Sequence, residues 1–276
     1  MGSENSWREL APGALLPSWQ VCAHNDAVDS GNPIHEDGTA QRYGFGGGLV
    51  PGVTTYGYLL HPVMAVLGED FLARGASSVR LRRPVYAGER VTVTARVAAC
   101  DESSLTLALE ARNPAGELCA EGLARYPAAK VPVEPAPPWA PLPAPRIAAT
   151  PAALGAAPLL GTITSSQTAA EAAGFAAALG DEALACYARA QHPAWLLRQA
   201  NYLVDRSVAL GPWVHTASEV QHLGLAAPGE SLEVRGKVVE LTTHKGHDYA
   251  AFDVLLSGAR PVMRVLHRAI YRLAAP

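Results

Sequence analysis

The chain has 276 residues, of which 49% are hydrophobic, so it can bury a full core and is too apolar to be disordered over most of its length. A formal net charge of −3 gives no electrostatic footprint for nucleic acid, and we expect no nucleic-acid partner. The four cysteines lie far apart without Cys-x-x-Cys spacing, which argues against both a disulfide scaffold and a zinc site.

The N-terminal residues contain no basic stretch followed by an apolar core, and no apolar run reaches membrane-spanning length. We therefore expect a cytoplasmic protein with no membrane partner.

The first segment with chemical content runs from Asn32 to Asp37 and reads Asn-Pro-Ile-His-Glu-Asp. His35 suits proton transfer because the unperturbed pKa of histidine lies near neutrality. A glycine-rich stretch, residues 44–52, follows and leads into a strongly apolar segment of helical character. Backbone N–H groups at the start of such a helix can face an anion or a polarised carbonyl. The segment therefore predicts proton-transfer chemistry beside a carbonyl group.

One buried helix and an antiparallel meander are predicted next. The helix is apolar nearly all round, which is typical of a buried helix, and its apolar positions are Val53, Tyr56, Leu59, Leu60, Val63, Met64 and Leu67. The strands alternate between apolar and polar residues, and their apolar positions are Val79, Leu81, Val91, Val93, Ala95, Val97, Leu105, Leu107 and Leu109.

A proline- and alanine-rich segment, residues 128–158, separates two similar parts of the chain. Proline cannot continue a helix or sit inside a sheet, so we expect a linker that runs extended across the surface. On either side, residues 76–93 align without a gap with residues 217–234, at an offset of 141 positions. The same offset places the apolar stretch 52–68 over 193–209. The chain is therefore predicted to be a tandem duplication of one structural unit.

The second unit repeats the order of a buried helix and alternating strands. Its apolar helix positions are Trp195, Leu196, Leu197, Leu203, Val204 and Val208, and its strand positions include Leu232, Val234, Val238, Phe252 and Val254. It has nothing like Asn-Pro-Ile-His before its helix, so we expect its own site to be lost.

The run Asn32-Pro33-Ile34-His35 resembles the signature of MaoC-like (R)-specific enoyl-CoA hydratases and dehydratases, which reads roughly Ser-Gly-Asp-x-Asn-Pro-Ile-His. That family folds as a hotdog, a curved antiparallel sheet wrapped around one long helix. The resemblance implies an α+β tandem double hotdog, with an N-terminal hotdog (1–127) that carries the motif, the linker (128–158) and a degenerate C-terminal hotdog (159–276). The two halves are expected to form a pseudo-dimer with the substrate cleft between them, and the second half to form an acyl tunnel and support the sheet. Further homo-oligomerisation stays open.

The resemblance also assigns catalytic residues. It implies His35 as the acid/base, an aspartate as its partner, and Asn32 as the group that orients the water or the aspartate. The aspartate slot of the family, counted back from His35, holds Ser30, so Asp29, displaced by one residue, is the predicted partner. The weaker substitutes for it are Asp26 and Asp37.

The substrate-binding residues are expected near the start of the first helix. The backbone N–H groups of residues 48–52 are the candidate oxyanion donors, with Gly48 and Gly52 assigned to substrate binding and Gly52 the best single choice. Tyr43 is also expected to contact substrate. No metal and no cofactor is expected, because the acyl thioester of coenzyme A or of acyl carrier protein is the substrate.

Three functions stay open. The leading one is a hydratase or dehydratase that adds or removes water at a 2-enoyl or 3-hydroxyacyl thioester. A hotdog thioesterase would instead direct a carboxylate or a bound water at the carbonyl carbon. A non-catalytic hotdog would bind an acyl thioester, or pair with a related subunit as a structural half, and Ser30 in the aspartate slot favours this alternative.

Overall fold

The computed structural model describes residues 6–27, 30–128 and 134–274. The first half of the chain contains strands and helices with these bounds: β1 (Trp19–Cys22), α1 (Asp37–Arg42), α2 (Gly52–Leu67), α3 (Glu69–Arg74), β2 (Ala76–Leu81), β3 (Arg90–Cys100), β4 (Leu105–Arg112) and β5 (Leu118–Tyr126). Short 3-10 helices span Ser6–Glu9 and Pro33–His35.

The second half repeats the long helix and the meander. Its elements are β6 (Ile147–Ala148), α4 (Pro151–Ala156), β7 (Ile163–Ser165), α5 (Ala169–Ala178), a 3-10 helix (Ala185–Ala188), α6 (Pro193–Ser207), β8 (Val208–Ala209), β9 (Val214–His222), β10 (Leu232–His244), β11 (His247–Ser257) and β12 (Pro261–Arg272). Across the described ranges of the chain, no helix is both long enough and apolar enough to cross a membrane.

One antiparallel sheet unites the two halves, in the strand order β1-β3-β4-β5-β2-β9-β12-β11-β10-β7. The order in the second half mirrors the order in the first, and β2 pairs with β9 at the junction. Ser78 lies opposite Glu219 in that pairing. These two residues are 141 positions apart, the offset of the sequence repeat, so a local two-fold axis passes between them. The predicted duplication is thus a pseudo-dimer within one chain.

The two long helices occupy equivalent places. α2 begins at Gly52 and α6 at Pro193, again at the offset of the repeat, and the two helices pack against each other. The apolar positions predicted for α2, from Val53 to Leu67, are all buried. The helix is buried over most of its surface, with Ala65 exposed near its end, which explains why it has no polar face, as predicted.

The predicted linker contains more structure than an extended chain. Residues 134–146 have neither helix nor strand, but α4 and β6 follow within the predicted range, and β6 pairs in parallel with β8. The Arg264 guanidinium on β12 donates a hydrogen bond to the carbonyl oxygen of Glu134 at 2.6 Å. This contact ties the segment to the sheet of the second half.

Because two histidines are deeply buried, we expect the protein to lose stability in mild acid. Burial lowers the pKa of His215 to about 4 and that of His222 to about 3, from an ordinary value of 6.5. Between pH 6.5 and these values the unfolded chain binds protons that the folded chain does not, so the stability present above pH 6.5 falls as the pH decreases. At pH 5 each histidine should have removed about 2 kcal/mol from the free energy of unfolding.

Denaturant unfolding at pH 7.5 and at pH 5 measures this effect, with His222→Leu as the comparison. His222 is 2% exposed, and its ring packs against the ring of Phe71 with 4.9 Å between the two centroids. The variant should lose about 2 kcal/mol less than the wild type between the two pH values, because leucine takes up no proton. An identical pH dependence in both proteins would contradict the assignment of His222 as a buried neutral group.

Candidate active site

A short 3-10 helix, Pro33–His35, presents the predicted histidine. Asn32 caps this helix because its side-chain oxygen accepts a hydrogen bond from the N–H of Ile34 at 3.2 Å, and proline at the first position lacks the N–H that would need a partner. Ile34 is 1% exposed and anchors the helix in a small apolar cluster with Leu49. Cap and anchor together fix the backbone that carries His35.

The imidazole of His35 is held in one tautomer. Its Nδ1 lies 2.7 Å from the carbonyl oxygen of Leu49, and since a carbonyl only accepts, Nδ1 carries the hydrogen. Burial lowers the pKa of His35, and the bond to Leu49 and the charge of Asp26 only partly oppose that effect. The neutral ring therefore offers an unprotonated Nε2, which is the form of a general base.

Asn32 joins the two halves of the chain beside this ring. Its amide donates to the carbonyl oxygen of Trp213 at 3.0 Å and accepts from the N–H of Trp213 at 3.3 Å. The same amide nitrogen lies 3.5 Å from Nε2 of His35. The predicted catalytic pair His35 and Asn32 is thus brought together, and the second half of the chain sets its position.

Three carboxylates were predicted as possible partners for His35. Two of them form hydrogen bonds with other groups, and the third lies outside the described residues. Asp26 accepts hydrogen bonds from the Arg198 guanidinium and, at 2.9 Å, from the Thr54 hydroxyl. Asp37 accepts from the N–H of Gly48 at 2.7 Å. Both of the weaker substitutes therefore already have hydrogen-bond donors as partners. Asp29 lies outside the described residues, and its catalytic role stays a prediction.

Ser30, which occupies the aspartate slot, lies near the histidine. It lines a small cavity of about 40 Å³ that His35, Asn32 and Asp26 also line. Its hydroxyl oxygen lies 3.4 Å from the N–H of Asn32 and accepts a hydrogen bond from it. Ser30 therefore braces the loop that carries Asn32.

The predicted glycine donors separate into two roles. The N–H of Gly48 is bonded to Asp37, and a Cβ atom at this position would lie 2.1 Å from the carbonyl oxygen of His35. Glycine is required there because the chain passes against the histidine loop. Gly48 does not line the pocket described below, so its assignment as a substrate-binding donor is corrected to a packing role.

Gly52 is the first residue of α2, where backbone N–H groups lack intrahelical acceptors. Among residues 6–27, 30–128 and 134–274, its N–H has no hydrogen-bond acceptor. A Cβ atom at this position would lie 2.3 Å from Cδ1 of Leu81 and 2.6 Å from Nδ1 of His215. Glycine is therefore required at the start of α2, because the Leu81 and His215 side chains pack directly against it.

A pocket of about 440 Å³ brings these groups together between the two halves, and we call it the His35 pocket. Its polar side chains are Asn32, His35, Tyr43, Thr55, Asn201, Trp213, His215, Thr216 and His247, and the charged side chains of Arg82 and Arg83 also line it. Gly52 also lines it, and so do apolar side chains that include Phe45, Leu49 and Ile270. No aspartate or glutamate lies among the described residues of its wall. Of the six predicted site residues, four line this pocket, namely His35, Asn32, Gly52 and Tyr43.

Comparison with known proteins assigns the fold. No protein-family model matches the chain, and no curated protein matches it by sequence. Solved structures match over nearly the full length. A protein assigned as a MaoC domain dehydratase, from Chloroflexus aurantiacus, has a TM-score of 0.69 at 11% identity, with 99% of each chain covered.

A conserved hypothetical protein of Mycobacterium tuberculosis that has a double hotdog fold matches with a TM-score of 0.67 at 13% identity, covering 96% of this chain and 97% of that one. The fold is a double hotdog. A protein assigned as an oleoyl thioesterase, from Lactobacillus plantarum, also matches, with a TM-score of 0.52 at 11% identity over 95% of this chain and 98% of that one. The predicted fold class is confirmed, and the likeness at these identities reaches no further than the fold.

The double hotdog is asymmetric at its two helix N-termini. Pro193 stands in α6 where Gly52 stands in α2, and proline has no N–H to donate. The side chain of His192 caps α6, since its Nδ1 accepts from the N–H of Ala194 at 3.0 Å. The second helix therefore cannot offer the donor that the first one offers, which agrees with the expected loss of a second site.

A larger groove of about 1030 Å³ crosses the double hotdog along β2 and β9, away from His35. Four of its charged side chains pair with one another, Arg268 with Glu219 at 2.7 Å and Arg264 with Asp253 at 2.8 Å. Within the described residues, no cluster of His, Cys, Asp and Glu is arranged to hold a metal ion. We therefore take the His35 pocket as the candidate active site.

Proposed function

We propose that this protein is a MaoC-like hydratase or dehydratase that adds water to a 2-enoyl thioester or removes it from a 3-hydroxyacyl thioester. The observation that carries the proposal is the meeting, in one largely apolar pocket, of an unprotonated His35 Nε2 and the N-terminus of α2 at Gly52. A proton-transfer base and a donor to an enolate-like oxygen are the two functions that the reaction needs. The fold that the chain shares with an assigned MaoC domain dehydratase is compatible with this chemistry.

In the proposed reaction His35 is the one group that accepts and returns a proton. The oxygen of a water molecule bonds to C3 while Nε2 of His35 accepts one of its protons. The electron pair of the double bond moves toward the thioester oxygen, which Gly52 N–H stabilises. His35 then returns the proton to C2 and is neutral again. Dehydration is the same sequence in reverse.

Asn32 is a positioning residue in this scheme. Its side-chain nitrogen lies 3.5 Å from Nε2, so a water bonded to the histidine is also within reach of the amide. Asp29 is proposed to assist by holding the same water. The cycle conserves protons without it, so the proposal does not depend on that residue.

The substrate is proposed to be a coenzyme A or acyl carrier protein thioester, as in fatty acid metabolism. Both carriers present the same pantetheine arm, and the apolar wall of the His35 pocket suits an acyl chain. Tyr43, half-buried in this wall, is proposed to contact that chain.

Thioester hydrolysis is the alternative that the likeness to an assigned thioesterase favours. It would need a carboxylate or a bound water directed at the carbonyl carbon. None of the described wall residues supplies a carboxylate, and Asp26 is paired with Arg198. A water activated by His35 suits either reaction, but the run Asn32-Pro33-Ile34-His35 resembles a hydratase signature, and we therefore prefer hydration.

A panel of trans-2-enoyl-CoA substrates of increasing chain length tests the proposal. Loss of the ultraviolet absorbance of the conjugated thioester, without release of free thiol, is the expected result. Release of thiol from saturated acyl-CoA would replace hydration with thioester hydrolysis. Thermal stabilisation by acyl-CoA without turnover of any substrate would identify a non-catalytic binding protein.

A further inference from the structure

The second half of the double hotdog contributes a histidine to the His35 pocket. His215 is the second residue of β9 and is 5% exposed. Its Nδ1 lies 2.6 Å from the place that a Cβ atom on Gly52 would occupy, directly against the N-terminus of α2. Within the described part of the chain this atom is buried and has no hydrogen-bond partner. A buried polar atom without a partner is costly, so its presence in a pocket points to a ligand.

The opposite edge of the His215 ring is held by a series of hydrogen bonds. Nε2 of His215 lies 2.9 Å from the Ser218 hydroxyl oxygen, which lies 3.0 Å from Nδ1 of His267. The two imidazoles stack at 4.3 Å between centroids with an angle of 25° between their planes. This arrangement fixes the His215 ring with its Nδ1 packed against the start of α2 at Gly52.

The Ser218 hydroxyl decides which nitrogen of His215 carries the hydrogen. If the hydroxyl donates to His215 Nε2 and accepts from His267 Nδ1, then the neutral His215 ring bears its hydrogen on Nδ1. The reverse order leaves a lone pair on Nδ1. A carbonyl oxygen in the pocket can only accept, so it selects the first order. Burial also lowers the pKa of both rings, which keeps them neutral at physiological pH.

We propose that His215 is a second oxyanion donor, so that the thioester oxygen lies between the N–H of Gly52 and Nδ1–H of His215. The proposal rests on the proposed function, because it assigns a residue to the same thioester site. The proposal assigns a catalytic contact to the degenerate C-terminal half. From the loss of its motif, we expected that half only to form an acyl tunnel and to support the sheet. A neutral imidazole suits this task because it donates a hydrogen bond without placing a buried charge at the start of α2.

Two variants of nearly equal shape separate the donor from the rest of the ring. His215→Asn places an amide N–H where Nδ1 lies, and His215→Leu fills the same space without a donor. Both variants lose the contact to Ser218. His222→Leu is the matched control, since His222 is equally buried on the same strand but does not line the His35 pocket.

The first readout is hydration of crotonyl-CoA. We expect kcat to fall by about 10²–10³-fold in His215→Leu, as for the loss of one oxyanion donor, and by clearly less in His215→Asn. His222→Leu should keep wild-type kcat. Equal activity of the Asn and Leu variants, or wild-type kcat in His215→Leu, would overturn the proposal and leave the proposed function intact.

The second readout needs no turnover. The infrared carbonyl band of bound butyryl-CoA should be shifted to lower frequency in the wild type, and His215→Leu should lose part of this shift while His215→Asn keeps it. This pattern in a protein that does not hydrate crotonyl-CoA would support the His215 contact and reject the hydratase. A band that is the same in all three proteins would reject the His215 contact whatever the activity.

Discussion

Replacement of His35 by alanine is expected to reduce kcat/KM for hydration of a 2-enoyl thioester by about 10³-fold or more. General acid–base catalysis by one positioned side chain contributes about 10²–10⁴-fold, and His35 both accepts and returns the proton in the proposed cycle. The described pocket wall contains no carboxylate that could take over the proton transfer. Initial rates of absorbance loss, measured for wild type and variant at equal concentration, give the ratio.

His35→Asn is the matched control for the fold. Its amide nitrogen can keep the bond that Nδ1 makes to the carbonyl oxygen of Leu49, but nothing replaces Nε2. This variant should therefore be as inactive as His35→Ala. Its free energy of unfolding should lie within about 1 kcal/mol of the wild-type value. Activity above a tenth of the wild-type value in either variant would remove His35 from the catalytic role.

Gly52→Ala is expected to reduce kcat by about 10²-fold or more, an effect similar to the loss of an oxyanion donor. The added Cβ atom would lie 2.6 Å from Nδ1 of His215, closer than real contacts allow. The His215 ring cannot easily retreat because it stacks on His267 and is bonded to Ser218. The methyl group would therefore displace the Leu81 and His215 side chains from the start of α2, where the thioester oxygen is proposed to bind.

Gly38→Ala separates this effect from a general intolerance of alanine. Gly38 lies in α1, and a Cβ atom there meets nothing within 4 Å. Alanine favours the helix, so this variant should keep wild-type kcat and gain up to about 1 kcal/mol of stability. A Gly52→Ala protein with wild-type kcat would show that the N-terminus of α2 does not receive the substrate oxygen.

The fold could be predicted because its signals are local or repeated. The burial of α2 follows from a helix without a polar face, and the place of β9 follows from the offset that relates residues 76–93 to 217–234. The short helix α4 was not predicted. The proline-rich composition around it indicates a linker, whereas its start at Thr150 and Pro151 is a local capping signal that this composition obscures.

The candidate site was predictable only where its residues are neighbours in sequence. His35 and Asn32 belong to one short motif, and a 3-10 helix brings them together. His215 and Trp213 come from about 180 positions further along, and only the pairing of the two halves places them there. Their sequence, Gly-Pro-Trp-Val-His, contains no spacing that indicates chemistry.

The two glycine assignments show the same limit. The glycine-rich segment offers both Gly48 and Gly52 as donors, with Gly52 preferred, and sequence does not reveal which N–H already has an acceptor. The Asp37 carboxylate takes the N–H of Gly48, whereas no described acceptor takes that of Gly52. Tertiary hydrogen bonding therefore decides between residues that composition cannot distinguish.

The most direct test of the proposed function is the mass spectrum of the products formed from crotonyl-CoA in water enriched in oxygen-18. Hydration at C3 predicts an intact coenzyme A thioester that carries one heavy oxygen atom, and this product should be absent with His35→Ala. Free coenzyme A together with an acid that carries the heavy oxygen in its carboxylate would contradict hydration and identify a thioesterase.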